Sequence, residues 1–169
     1  MENPSQAITL SFPFSLGDRF RAAIVLTPYS KRAIAAALVW PVLGLSFLVF
    51  MLAKGRPLGW DTGILMLVAL LFYPVMLVIS TLLTHFNPQM REPFTYTFDD
   101  LGIHVSATTY EITHRWPAIS RVTRSGGFLL FFFSRQCAHC IPLSIVERAG
   151  AIGPLLALAK QNGVSVEDL

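Results

Sequence analysis

Two long apolar runs, at residues 33–52 and 64–83, constrain this chain more than any other feature. Each run is 20 residues long, and neither contains a Lys, Arg, Asp, Glu or His. Because the hydrocarbon core of a bilayer is about 30 Å thick, about 20 helical residues are needed to cross it. The alternative is a pair of buried helices in a soluble core, but helices that are apolar on every side are seldom this long there. The sequence therefore predicts a membrane protein with two spans.

The short segment between the two runs, residues 53–63, sets the arrangement of the spans. It contains Gly and Pro and is too short to fold alone, so the two helices form an antiparallel hairpin with both chain ends on one side. Five basic residues lie on the side of the chain ends: Arg19, Arg21, Lys31, Arg32 and Arg91. Two lie in the connecting segment: Lys54 and Arg56. This imbalance predicts cytoplasmic termini. The first residues also lack the basic and apolar regions of a cleavable signal peptide.

Composition narrows the classes of function. Charged residues make up 14% of the 169 residues and apolar ones 53%, which is typical of a membrane protein and not of a disordered or nucleic-acid-binding chain. The net charge of +3 is too small to indicate a polyanionic partner and suits a chain beside anionic lipid. We expect three parts: residues 1–32 with a strand and a membrane-surface helix, the hairpin at 33–83, and a cytoplasmic domain at 93–169.

The N-terminal part carries a strand pattern followed by a helix pattern. Residues 8–14 alternate apolar and polar side chains, and Ser15 is placed to cap a helix that Pro28 interrupts. The apolar face of this strand needs burial, so we predict that residues 8–14 join the sheet of the C-terminal domain.

The C-terminal part predicts about six short strands and a final helix that begins near Pro154, an α+β arrangement. Residues 128–133 are apolar on both faces, and we expect the final helix to cover their second face.

This order of parts resembles the YcxB-like family of small bacterial membrane proteins. The resemblance rests on three short motifs. The first is a Gly after an acidic turn, here Asp100-Leu101-Gly102, and the second is a Trp followed by an Ile and a Val, here Trp116, Ile119 and Val122. The third is an Ile-Pro pair, here Ile141-Pro142. It implies a C-terminal domain of the pleckstrin-homology type, a small β-barrel or sheet with a C-terminal helix, and a place in the bacterial inner membrane. It implies no defined activity. In the family, basic residues usually follow the Ile-Pro pair, whereas this chain has Leu143-Ser144.

The segment Cys137-Ala-His139-Cys140 is the most suggestive chemical cluster. Two thiols at this spacing, with an imidazole between them, suit metal binding or redox sensing. The structural alternative is a hairpin whose two-residue tip is Ala138-His139, with reduced cysteines that act as small apolar residues in the cytoplasm. A structural zinc ion also needs a fourth ligand, from His85, His104, His114 or another chain.

Other reactive residues give weaker signals. His114 shares a strand face with Ile112 and Trp116, which favours a core position over a catalytic one. No catalytic motif is visible, so the sequence predicts a non-enzymatic protein with no assigned catalytic, cofactor-binding or metal-binding residue. Four arginines either face anionic lipid or form a solvated outer face: Arg115, Arg121, Arg124 and Arg135. The prediction is a membrane protein whose domain binds a protein or a lipid, with the bilayer and a protein partner or a second copy as partners and no nucleic acid.

Overall fold

The computed structural model describes residues 7–55, 59–88 and 92–167. Two of the basic residues in the charge count, Arg56 and Arg91, lie outside these ranges, as do residues 1–6. The fold is mixed α and β, with two long apolar helices and two four-stranded sheets.

The helices are α1 (Leu16–Leu26), α2 (Lys31–Ala53), α3 (Trp60–Phe86), α4 (Leu143–Arg148) and α5 (Ile152–Gln161), with 3-10 turns at Thr27–Tyr29 and Trp116–Ala118. The strands are β1 (Ile8–Phe12), β2 (Phe94–Phe98), β3 (Gly102–Ala107), β4 (Tyr110–Arg115), β5 (Arg121–Ser125), β6 (Phe128–Phe132), β7 (Ala138–Pro142) and β8 (Ser165–Glu167).

Helices α2 and α3 pack against each other and leave most of their apolar side chains exposed. The buried residues are Gly44 in α2 and Thr62, Ala69 and Thr81 in α3. A Cβ atom on Gly44 would lie 2.9 Å from the Cβ of Ala69, so the two backbones approach closely at small residues. By length and composition, both helices are able to cross a membrane.

Strand β1 belongs to the first sheet, in the order β1-β2-β3-β4. It pairs antiparallel with β2, so that Ile8 lies opposite Phe98 and Phe12 lies opposite Phe94. The chain leaves this sheet after β1, forms α1 to α3, and returns at β2. Because the two strands are paired, the start of α1 and the end of α3 must lie on the same side of the helical hairpin.

The second sheet has the order β7-β6-β5-β8. Strands β5 and β6 are joined by Gly126 and Gly127, whose φ angles of 58° and 83° suit a tight turn that only glycine adopts easily. Strand β8 pairs parallel with β5. The sequence pattern did not predict this strand because it is only three residues long.

The main core lies between the two sheets and the C-terminal helices, and Phe98, Phe131 and Leu155 are fully buried there. The other face of β6 carries Phe128, Leu130 and Phe132, and residues of α1 cover it. The expectation that the final helix covers this second face is therefore wrong. Ser15 caps α1 through a reciprocal bond with Asp18, and the partly buried Ala22, Val25 and Leu26 of this helix pack against the cluster on β6.

Candidate functional site

Two of the motifs that carry the family resemblance meet in one structural network. The Asp99 carboxylate accepts hydrogen bonds from the backbone N–H groups of Leu101 and Gly102, both at 2.9 Å. The indole N–H of Trp116 donates to the backbone carbonyl of Asp99 at 2.8 Å. Nearby Ile119, Val122 and Ile141 are all buried in the main core. These motif residues therefore have a structural role in the domain. Candidate functional residues must be sought at other positions.

A cavity of about 580 Å³ lies between α1, the end of α3, the first sheet and β7. Fourteen of the described residues line it: Phe14, Arg19, Ala22, Ala23, Ser80, Thr81, Thr84, Phe94, Tyr96, Thr109, Tyr110, Ala138, His139 and Cys140. The volume lies within the range of small-molecule sites, which is about 300–1,000 Å³. The cavity is the candidate functional site because it joins apolar walls to a small set of polar groups.

Among the lining residues that the structure describes, Arg19 is the one formally charged side chain, and none is Asp or Glu. Its guanidinium carbon lies 5.9 Å from the centre of the Phe14 ring. Burial lowers the pKa of Arg19 from its ordinary value, yet a guanidinium stays protonated at neutral pH. The cavity therefore carries a positive charge.

Tyr96 reaches the cavity from β2. Its side chain is only 6% exposed, and within the described part of the chain its hydroxyl has no hydrogen-bond partner. Burial raises the pKa of Tyr96 above its ordinary value, and the neighbouring Cys140 and Tyr110 add to the effect. The phenol therefore remains protonated and keeps an O–H donor beside the cavity.

His139 and the partly buried His114 are in direct contact. The His139 Nε2 and His114 Nδ1 atoms lie 2.9 Å apart, and the ring of Phe133 packs against both imidazoles. Burial, and secondarily His114, lowers the pKa of His139 to about 4. The His139 imidazole is therefore neutral at physiological pH.

Ala138 and His139 do not form the expected hairpin tip between the two cysteines. Ala138 and His139 lie within β7, and the turn comes earlier, where the Phe133 N–H donates to the Cys137 carbonyl. Both thiols are free: Cys137 is exposed, and Cys140 is buried with its pKa raised to about 12. Successive residues of a strand point to opposite faces, so the side chains of His139 and Cys140 leave β7 on opposite faces, although both border the cavity. Among the residues that the structure describes, no three His, Cys, Asp or Glu side chains are placed to hold a metal ion.

The four arginines have different surroundings. The guanidinium of Arg121 lies 4.4 Å from the Phe132 ring centre and 3.9 Å from the Glu167 carboxylate. Arg124 lies 3.8 Å from Glu147, while Arg115 and Arg135 are exposed. They do not share one cluster of contacts.

We expect acid to destabilise the fold through His139. The pKa of His139 is about 4 in the folded state and about 6.5 in the unfolded chain. As the pH falls, the unfolded state therefore binds the proton first. The stability present above pH 6.5 should decline as the pH falls towards 4, by at most about 3 kcal/mol. Thermal unfolding of the purified chain in detergent at pH 7.5 and pH 5.0 would measure this. The His139→Phe variant should lose less stability between the two pH values; an equal loss would exclude His139 as the cause.

Of the residues that line the candidate site, His139 and Cys140 belong to the segment that the sequence singles out, whereas most of the others carry no such signal. Arg19, Ser80, Tyr96 and Tyr110 are far apart in the sequence, and only the pairing of β1 with β2 brings α1 and α3 next to the first sheet. The sequence signals for the site are the Cys137-Ala-His139-Cys140 segment and a pair of hydroxyl residues near the end of the second apolar run, Ser80 and Thr81.

Comparison with known proteins agrees with the resemblance seen in the sequence. No curated protein and no solved structure gives a significant match. Residues 98–159, from the end of β2 to the last turns of α5, match the family described as YcxB-like protein.

Proposed function

We propose that this protein is a non-enzymatic binding module anchored in the bacterial inner membrane. In this proposal α2 and α3 span the membrane, and the two-sheet domain lies at the cytoplasmic face and binds a ligand at the membrane surface. The observation that carries the proposal is the cavity, because the end of α3 and the domain line it together.

The support for membrane spans is the exposure of the apolar side chains on α2 and α3. Leu45, Val49 and Leu70 are each more than half exposed, although a soluble core helix would bury them. Lipid is the solvent that suits such surfaces. The pairing of β1 with β2 also supports a hairpin whose two ends lie on one side of the membrane. This support does not depend on the count of basic residues.

The support for a domain of the pleckstrin-homology type is the order of its elements. Four antiparallel strands form the first sheet, three antiparallel strands follow in the second sheet, and helices α4 and α5 come after them. In such a domain we place ligand binding at the cavity. Lipid is favoured over a protein partner or a second copy of the chain because the cavity is concave and reaches the end of a proposed span.

Metal or redox sensing by Cys137, His139 and Cys140 is the alternative function. It has less support because the Cys140 thiol is buried and protonated, and because His139 is bonded to His114. A metal ligand must be deprotonated, so this arrangement opposes binding.

The membrane topology can be tested with reporter fusions in bacteria. A reporter that is active only outside the cytoplasm should be silent at either terminus and active when inserted between Lys54 and Gly55, because positive charge holds both chain ends inside. Replacing Arg19, Arg21, Lys31 and Arg32 with glutamine should give a mixed orientation. Release of the wild-type chain from membranes by alkaline carbonate would contradict the proposal of two spans.

A quadruple variant with unchanged orientation would mean that the folded domain, and not the flanking charge, sets the topology. A single Arg148→Gln variant is the matched control, since Arg148 is a basic residue far from both spans in the sequence. Its fusions should match those of the wild type.

A further inference from the structure

We propose that the cavity binds the phosphate of an anionic phospholipid headgroup, with Arg19 facing the phosphate and the Tyr96 hydroxyl donating a hydrogen bond to it. This inference rests on the proposed membrane function and names the class of ligand.

The first step is charge. Arg19 gives the cavity a positive charge, and no carboxylate is present among the lining residues that the structure describes, so the cavity favours an anion. The imidazole of His139 is neutral, so it adds no second positive charge. One positive charge in a concave site suits one negative group such as a phosphodiester.

The second step is hydrogen bonding. Tyr96 lines the cavity, and in the described part of the chain no protein group is hydrogen-bonded to its hydroxyl. Because this side chain lines the cavity, a bound acceptor would satisfy it. The phosphate oxygens of a ligand are such acceptors.

The third step is the position of the cavity along α3. Ser80 and Thr84 line it one helical turn apart, and both hydroxyls donate to carbonyls of their own helix. Met76 lies one turn earlier on the same face, towards the middle of the apolar helix, and is exposed. A headgroup in the cavity would therefore leave its acyl chains along this face of α3, which is why we assign the phosphate to a lipid and not to a soluble metabolite.

The test measures binding to the purified full chain in neutral detergent micelles by native mass spectrometry. The probes are dioctanoyl phosphatidylglycerol, dioctanoyl phosphatidylcholine and glycerol 3-phosphate. We expect phosphatidylglycerol to bind at least about tenfold more tightly than either other probe, because it alone combines a net negative charge with acyl chains.

Substitutions distinguish specific binding in the cavity from nonspecific attraction to surface charge. Arg19→Gln should weaken phosphatidylglycerol binding at least about tenfold and Tyr96→Phe about fivefold. Arg21→Gln is the matched control, because Arg21 lies on the exposed side of the same helix, and should change binding less than about twofold. Thr109→Trp is a further variant at an exposed position on the rim, which should block the cavity without disturbing the core.

Three results would overturn the inference: equal effects of Arg19→Gln and Arg21→Gln, equal binding of the two lipids, or binding of glycerol 3-phosphate as tight as that of the lipid. Carbonate extraction separates the two proposals. A chain that resists extraction but fails to bind phosphatidylglycerol would refute the lipid site alone, whereas an extracted chain would refute the membrane function.

Discussion

Replacing Gly102 by alanine is expected to lower the free energy of unfolding by about 3 kcal/mol, the upper part of the range for overpacked sites. A Cβ atom at this position would overlap the backbone carbonyl of His114 and lie 2.8 Å from the Cα of Arg115. These neighbours are backbone atoms of the paired strand β4 and cannot rotate away. The midpoint of thermal unfolding in detergent should fall by about 6–12 °C.

Gly153→Ala is the matched control for this prediction. Gly153 is exposed on α5, and a Cβ atom there would meet nothing within 4 Å. Because alanine favours helix over glycine by up to about 1 kcal/mol, this variant should be as stable as the wild type or more stable. If Gly102→Ala and Gly153→Ala unfold at the same temperature, the close backbone contact at position 102 does not explain the need for glycine there.

Replacing Phe132 by alanine is expected to cost about 3–5 kcal/mol and to loosen α1 in particular. The ring is fully buried, lies 4.9 Å from the Tyr29 ring, and belongs to the cluster that α1 covers. Phe131→Ala is the matched comparison, since Phe131 is equally buried but faces the other way, 5.3 Å from Phe98 in the main core.

Hydrogen exchange measured by mass spectrometry would separate the two variants. Phe132→Ala should raise exchange first in α1, and Phe131→Ala should raise it first in β2. The Leu101→Ala variant, at a side chain that is 68% exposed, should change stability by less than about 0.5 kcal/mol. Identical exchange patterns for Phe131→Ala and Phe132→Ala would contradict separate roles for the two faces of β6.

Much of the fold was accessible from sequence because its strongest patterns are local. The apolar runs at 33–52 and 64–83 lie inside α2 and α3, and Ser15 caps α1 as expected. The alternation at residues 8–14 required burial of one face, and the structure pairs Ile8–Phe12 with Phe94–Phe98. In each case neighbouring residues alone determine the preferred structure.

The errors and omissions concern contacts between distant segments. Which helix covers the second face of β6 depends on packing in three dimensions, and both α1 and α5 have a suitable apolar side. The sequence favours a two-residue hairpin tip at Ala138-His139, whereas the structure has a longer turn that ends at Cys137. The cavity was not foreseen because no single segment contains its charge, its buried phenol and its hydroxyl residues.

The pairing of β1 with β2 has a consequence for the order of events during synthesis. The ribosome makes β1 first, yet its partner emerges only after the entire helical hairpin, because Ile8 pairs with Phe98. At about 5–20 residues per second, the first strand waits several seconds with an open edge. A chain truncated before residue 94 can never close that edge. The first sheet can therefore be complete only after both long helices have been synthesised. A chain interrupted earlier has an unpaired strand edge that a protease or chaperone can recognise.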